Sequence, residues 1–165
     1  MTYVAMTGPP SGRHPLAVLV GQDPSPRWSG EPRHLLAGST FWRLAERVLW
    51  PGNPRARSLY LRTFLRANVV ARHVPAAEPW PHDEARAGAR AILAASKGLP
   101  LVLLGRRAAD AFGYDDRQIP SLIEGGRTLL LPHPSGRCRQ WNDPEAGRRA
   151  AELWWTLCRE HGIPT

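Results

Sequence analysis

Two short stretches carry side chains able to do chemistry. The first is Gly21-Gln22-Asp23-Pro24-Ser25 and the second is His133-Pro134-Ser135-Gly136-Arg137-Cys138-Arg139. An acid and an imidazole brought face to face can handle a water and a leaving group by acid–base catalysis. A proline-stiffened loop of small residues followed by arginines suits close approach to a phosphate backbone. A third polar group, Asn68, interrupts an otherwise apolar run. A buried amide must find partners, so Asn68 is either a tie between strands or a recognition group.

Each of these groups sits at or beside an apolar run. Leu16 to Val20 reads as a buried strand that feeds directly into the Asp23 turn. Thr63 to Val70 is the second strand, Leu99 to Leu104 the third, and Arg127 to Leu131 the fourth, which runs into Pro132-His133. Helical patterns separate them. Ser39 or Thr40 caps a helix through Phe41, Trp42, Leu44, Val48 and Leu49, stopped by Pro51-Gly52. A short helical piece is expected around Arg57 to Leu61. Asp83 is expected to cap an Ala/Arg-rich helix from Glu84 to Ala95, ended by Gly98. Arg106 to Phe112 forms a shorter helix, and Gly113 to Glu124 reads as loop. Asp143 caps the last helix, with Pro144 at its first position and its end near His161.

The alternation of strand and helix predicts an α/β fold, a three-layer α/β/α sandwich on a central four-stranded parallel sheet. In such a sheet the strand ends share one edge, where open α/β folds place their ligands. The Asp23 and His133 loops would then face one another across a crevice. The chain of 165 residues reads as one domain, 1–165, after a Pro/Gly-rich lead-in from Met1 to Pro15.

Composition bounds the partners. The net charge is +8, and Lys97 is the single lysine among 22 basic residues. Arginine grips phosphate with a planar fork and stacks on bases, so a polyanion, nucleic acid first, is the expected partner. A coding bias toward arginine would give the same composition, so charge indicates a partner class and no activity. Cys138 and Cys158 are too few and too far apart for a four-cysteine zinc or iron–sulfur site. They point to a reduced, cytoplasmic protein without a disulfide framework. No run is long enough to cross a membrane, and no secretion signal is visible.

The two loops together resemble the signature motifs of the uracil-DNA glycosylase superfamily. Gly21-Gln22-Asp23-Pro24 is similar to the water-activating motif of its uracil-specific branch. His133-Pro134-Ser135 is similar to the start of its minor-groove loop. Gly136 and the segment Phe41-Trp42-Arg43 are closer to the mismatch-specific branch. Asn68 lies where this superfamily often has a base-reading asparagine. The likeness runs from about Leu16 to the last helix.

The resemblance implies a DNA glycosylase that flips a pyrimidine out of the stack and hydrolyses its N-glycosidic bond. Asp23 would orient the water and stabilise positive charge on the sugar. His133 would donate a hydrogen bond to the departing base. Asn68 would read the base, and backbone amides near Gln22 would help hold it. Pro134, Ser135, Gly136 and Arg139 would meet the DNA, with Arg137 as the wedge in the gap left by the flipped base. The partner is DNA, the protein a monomer, and neither metal nor redox cofactor is required. Three positions depart from the uracil-specific pattern. Ser25 stands where a bulky tyrosine excludes C5-substituted pyrimidines. The stacking position falls at His34 or Leu35, and the wedge is an arginine. These departures favour a mismatched or C5-modified pyrimidine, including bases used in phage DNA, and leave repair and defence both open. Trp28 and Trp141, in loops, are further candidates for DNA contact. The alternatives are a non-catalytic DNA-binding relative and a nucleotide or nucleoside hydrolase. The second lacks a phosphate-cradling glycine loop.

Overall fold

Uninterrupted apolar runs need cover on both faces, and the sheet provides it. The computed structural model describes residues 4–165, the side chain of Ser11 excepted; Met1 to Tyr3, the head of the expected lead-in, lie outside the described residues. The strands are Met6–Thr7 (β1), Ala17–Gly21 (β2), Phe64–Asn68 (β3), Leu101–Leu104 (β4), Ser121–Ile123 (β5) and Thr128–Leu131 (β6). Every residue of β2, β4 and β6 is buried. The sheet order is β1-β3-β2-β4-β6-β5. Its middle four strands are mutually parallel, with Gly21 opposite Asn68, Val20 opposite Leu103, and Leu104 opposite Leu131.

The helices are Ser39–Leu44 (α1), Ala56–Thr63 (α2), His82–Ser96 (α3), Arg106–Ala111 (α4) and Pro144–His161 (α5). One face of the sheet packs Leu19, Phe64 and Leu129 against Leu44 of α1, Tyr60 of α2 and Trp154 and Leu157 of α5. The other packs Val18, Val20, Leu103 and Leu130 against Ala85, Ala89 and Ile92 of α3 and Ala108 and Ala109 of α4. The chain is thus a three-layer α/β/α sandwich, as the alternation predicts. The indole of Trp154 sits at the centre of the first face, 5.3 Å from the Trp50 ring and 5.6 Å from Phe64.

The sheet has six strands where four were expected. Both extra strands are antiparallel edges: β1 lies against β3, and β5 against β6. Two and three residues are too short to show a period-two pattern. β5 falls inside the stretch Gly113 to Glu124, expected as loop, and turns back into β6 through Glu124, Gly125 and Gly126, all at positive φ. Short edge strands leave little open ladder for another chain to join.

Two expected caps are replaced. Gly38, not Ser39 or Thr40, occupies the N-cap of α1, with φ 123° and no side-chain bond. α3 starts at His82 behind Pro81, so Asp83 and Glu84 lie inside its first turn, where they complement the helix dipole instead of capping it. The α1 helix runs to Leu49 as expected, but Ala45–Leu49 is wound as a π-turn, closed by Trp50 N–H donating to Ala45 C=O at 2.8 Å. The Asp143 cap holds: its carboxylate accepts from Glu145 N–H at 3.0 Å, with Pro144 following.

Candidate active site

Because β2, β3, β4 and β6 run in parallel, the ends of all four reach one edge. Pairing between β2 and β3 continues past their ends, with Val69 N–H on Gly21 C=O (3.1 Å) and Val70 N–H on Gln22 C=O (3.0 Å). The connection after β3 therefore runs alongside the Asp23 turn. The Asp23 side chain is only 6% exposed. Its Oδ2 accepts from Val74 N–H at 2.9 Å and lies 3.3 Å from His73 Nδ1. His73 Nδ1 is also 3.0 Å from Pro24 C=O. No protein group among the described residues hydrogen-bonds Oδ1 of Asp23. One carboxylate oxygen is committed to the scaffold and the other is open.

Two glycines permit this approach. A Cβ on Gly21 would stand 2.4 Å from Asn68 Oδ1 and 2.7 Å from Leu36 Cδ2. A Cβ on Gly88 of α3 would stand 1.9 Å from the Val69 carbonyl oxygen, so the helix rests directly on the backbone that leads to His73 and Val74.

Asn68 is fully buried, and neither its amide nitrogen nor its oxygen has a partner. It ties no strands together by its side chain. Leaving such a group unpaired costs about 1–3 kcal/mol. On the same face of β3, Arg66 is 2% exposed, and its Nη1 donates to Leu35 C=O (2.9 Å) and Arg33 C=O (3.3 Å). Burial pulls its pKa below the usual guanidinium value. The Tyr60 hydroxyl donates to Leu36 C=O at 2.6 Å, and burial pushes its pKa up. Three carbonyls thus clamp Arg33 to Leu36 against β3 and α2, with Leu36 held at φ 48°.

His133 follows Pro132 at the end of β6. A Cβ on Gly105, whose φ is 86°, would stand 2.9 Å from His133 Cβ, so the turn after β4 makes room for the histidine. His133 Nδ1 accepts from Ser135 N–H at 3.2 Å. Burial pulls the imidazole below its ordinary 6.5, and the nearby Asp23 carboxylate pulls the other way. The two loops therefore lie within electrostatic reach. A neutral imidazole that accepts at Nδ1 carries its proton on Nε2. The Trp141 indole donates to His133 C=O at 2.8 Å and anchors the loop.

The remaining sequence-derived residues divide. Gln22 and Ser135 are half-buried and Pro134 is buried; Gly136, Arg137 and Arg139 are exposed. Ser25 is exposed, its Oγ accepting from Arg27 N–H at 3.2 Å. His34 is exposed with Nδ1 3.0 Å from Ser29 Oγ, whereas Leu35 is 1% exposed and packs in the core. Trp28 donates to Glu31 C=O at 3.0 Å, and both Trp28 and Trp141 pack against the core, so neither is a free stacking platform. Sequence reasoning missed His73, Val74, Gly88 and the Arg66–Tyr60 clamp. The available signal for His73 was its place, a few residues beyond a buried strand end at the ligand edge.

Two open grooves of about 530 and 500 Å³ lie elsewhere, around α3 and α4, lined by Arg86, Arg90 and Tyr114 and by Trp80 and Arg107. They mix arginines with Asp110 and Asp115 and contain neither Asp23 nor His133. Among the described residues no group of three or more His, Cys, Asp or Glu could hold a metal. No helix of these residues is long and apolar enough to cross a membrane. Cys138 and Cys158 are free thiols, and burial pushes Cys158 up to about 12.

The model of the uracil DNA glycosylase superfamily matches residues 9–157, most of the chain. No curated protein matches it.

Proposed function

The chain belongs to the uracil-DNA glycosylase superfamily, and from that membership we propose that it excises a flipped-out pyrimidine from DNA, with Asp23 as the water-activating acid and His133 as the donor to the departing base. The observation that carries this reading is what two strand ends hold at the sheet edge: a nearly buried carboxylate with one oxygen free of protein partners, and a histidine whose Nδ1 takes the Ser135 amide and so turns its other nitrogen to the site.

The bond between the sugar C1′ and the base N1 breaks, and its electron pair leaves on the base. The sugar becomes cationic, and the Asp23 carboxylate stabilises it across a site from which water is largely excluded. A water on Oδ1 adds its oxygen to C1′ and gives a proton to Asp23, which later returns it to solvent. The charge developing on the base is met by the Nε2–H of His133, which donates a hydrogen bond and keeps its proton. The base anion takes a proton from solvent, and the products are the free base and an abasic site. Neither the acid nor the imidazole needs a metal or redox partner for these steps.

The unpaired amide of Asn68 supports a role in reading one edge of the base, with the backbone near Gln22 beside it. The clamped segment with His34 and Leu35 would wall the pocket. The small, exposed Ser25 supports acceptance of a C5 substituent. The exposed Gly136, Arg137 and Arg139, behind Pro134 and Ser135, support backbone contact, with Arg137 filling the vacated stack.

The test is base release from labelled oligonucleotides carrying uracil, mismatched uracil or thymine, or a C5-modified pyrimidine, single- and double-stranded. One base is expected to leave, and Asp23→Asn to slow that release by about 10²–10⁴-fold. DNA binding with no release from any member of the panel would overturn the catalytic reading and leave a DNA-binding relative.

A further inference from the structure

His73 is absent from the mechanism above, yet it touches both Asp23 and Pro24. Its Nδ1 lies 3.0 Å from Pro24 C=O and 3.3 Å from Asp23 Oδ2. A carbonyl and a carboxylate have no hydrogen to give, so Nδ1 must carry one, and the lone pair of a neutral ring is on Nε2. The His73 side chain is 38% exposed against 6% for Asp23, so the imidazole lies between the carboxylate and solvent.

Resting on the assignment of Asp23 as the water-activating acid, we propose that His73 is a positioning residue: its Nδ1–H donates to Pro24 C=O and so seats the ring 3.3 Å from Asp23 Oδ2, fixing the carboxylate so that Oδ1 faces the water and the sugar. The Val74 amide alone would hold Oδ2 by one bond and leave the carboxylate free to rotate about it. The His73 ring, packed against Oδ2, blocks that rotation and so sets the plane.

The other charged groups around this connection are Arg72 and Glu78 upon it and Glu84 on α3. Arg72 is paired with both glutamates, at 2.6 and 3.5 Å. Among the described residues Asp23 is the acid that His73 touches.

The experiment compares wild type, His73→Ala, His73→Asn and Asp23→Asn on the oligonucleotide that wild type processes best. kcat and KM are measured. An asparagine can place an N–H near the position of Nδ1. His73→Ala is expected to lose about 10- to 100-fold in kcat, the scale for a displaced catalytic group, with KM within about twofold. His73→Asn is expected to recover most of that loss. A wild-type kcat in His73→Ala overturns the proposal, as does a loss carried by KM in both variants, which would mark a DNA contact. Full activity in Asp23→Asn sinks the underlying assignment instead. Loss in Asp23→Asn with none in His73→Ala sinks only the role of His73.

Discussion

The acid and the histidine reach the same sheet edge held by opposite means. His133 is fixed by its own loop: its ring takes the amide of Ser135, two residues on, and its carbonyl takes the indole of Trp141. Asp23 is fixed from far away in the chain, by Val74, 51 positions later, and by His73. That connection is in turn seated by α3, through the contact of Gly88 with Val69. One group is placed by local geometry and the other by the packing of a whole layer. Damage to the first should stay local, whereas damage to the second should travel.

The largest expected break on the local side is His133→Ala. Removing one donor from a developing oxyanion typically costs about 10²–10³-fold in kcat, and base release under single-turnover conditions measures it. A second readout sharpens the point. Burial keeps the folded His133 below the 6.5 of the unfolded chain. The unfolded state then binds more protons just below that pH, so stability falls as the medium is acidified through this range. His133→Gln should remove that part of the acid sensitivity, as denaturant titrations at neutral and mildly acid pH would reveal.

On the layered side, Gly88→Ala tests whether packing reaches the acid. The new methyl meets a backbone oxygen, which cannot swing away, and overpacking of this kind costs about 1–3 kcal/mol. kcat is expected to fall by about tenfold as the Val69–Val74 connection shifts. Gly162→Ala is the control: a side chain at φ 65° in the C-cap of α5 costs about 1 kcal/mol, at the end of that helix away from the site. Its kcat should remain that of wild type when both variants are assayed well below their melting temperatures. Equal kcat in the two variants would remove the distinction drawn above.

Trp141→Phe is the smallest break. It keeps the packing and deletes the bond to His133 C=O, so kcat should drop only a few fold and KM little. A loss as large as that of His133→Ala would mean that the histidine, too, depends on distant support.

The same contrast governs what could be read from the chain. The parallel strands were legible because burial on both faces demands continuous apolar runs, and the site loops because they follow those runs. The His-Pro-Ser geometry is local and visible in the residues themselves. His73 was not legible as a partner of Asp23, because only the register of β2 on β3 brings the two together. Arg66 reads as a polar interruption of a strand until its carbonyl partners are seen. The edge strands were too short to announce themselves. The caps at Ser39 and Asp83 failed because glycine and proline just upstream set the helix starts first.

Arg66 also has a consequence for ionic strength. Its charge is buried with no carboxylate beside it among the described residues. Surface arginines such as Arg137 and Arg139 lose their pull on a polyanion as salt accumulates around them, within a Debye length of about 8 Å at physiological salt. Counterions cannot crowd around a guanidinium sealed behind Leu35 and Leu36, so its field is screened far less. Salt should strip the protein from DNA through the surface arginines, while the positive potential behind Asn68 persists for whatever enters the pocket.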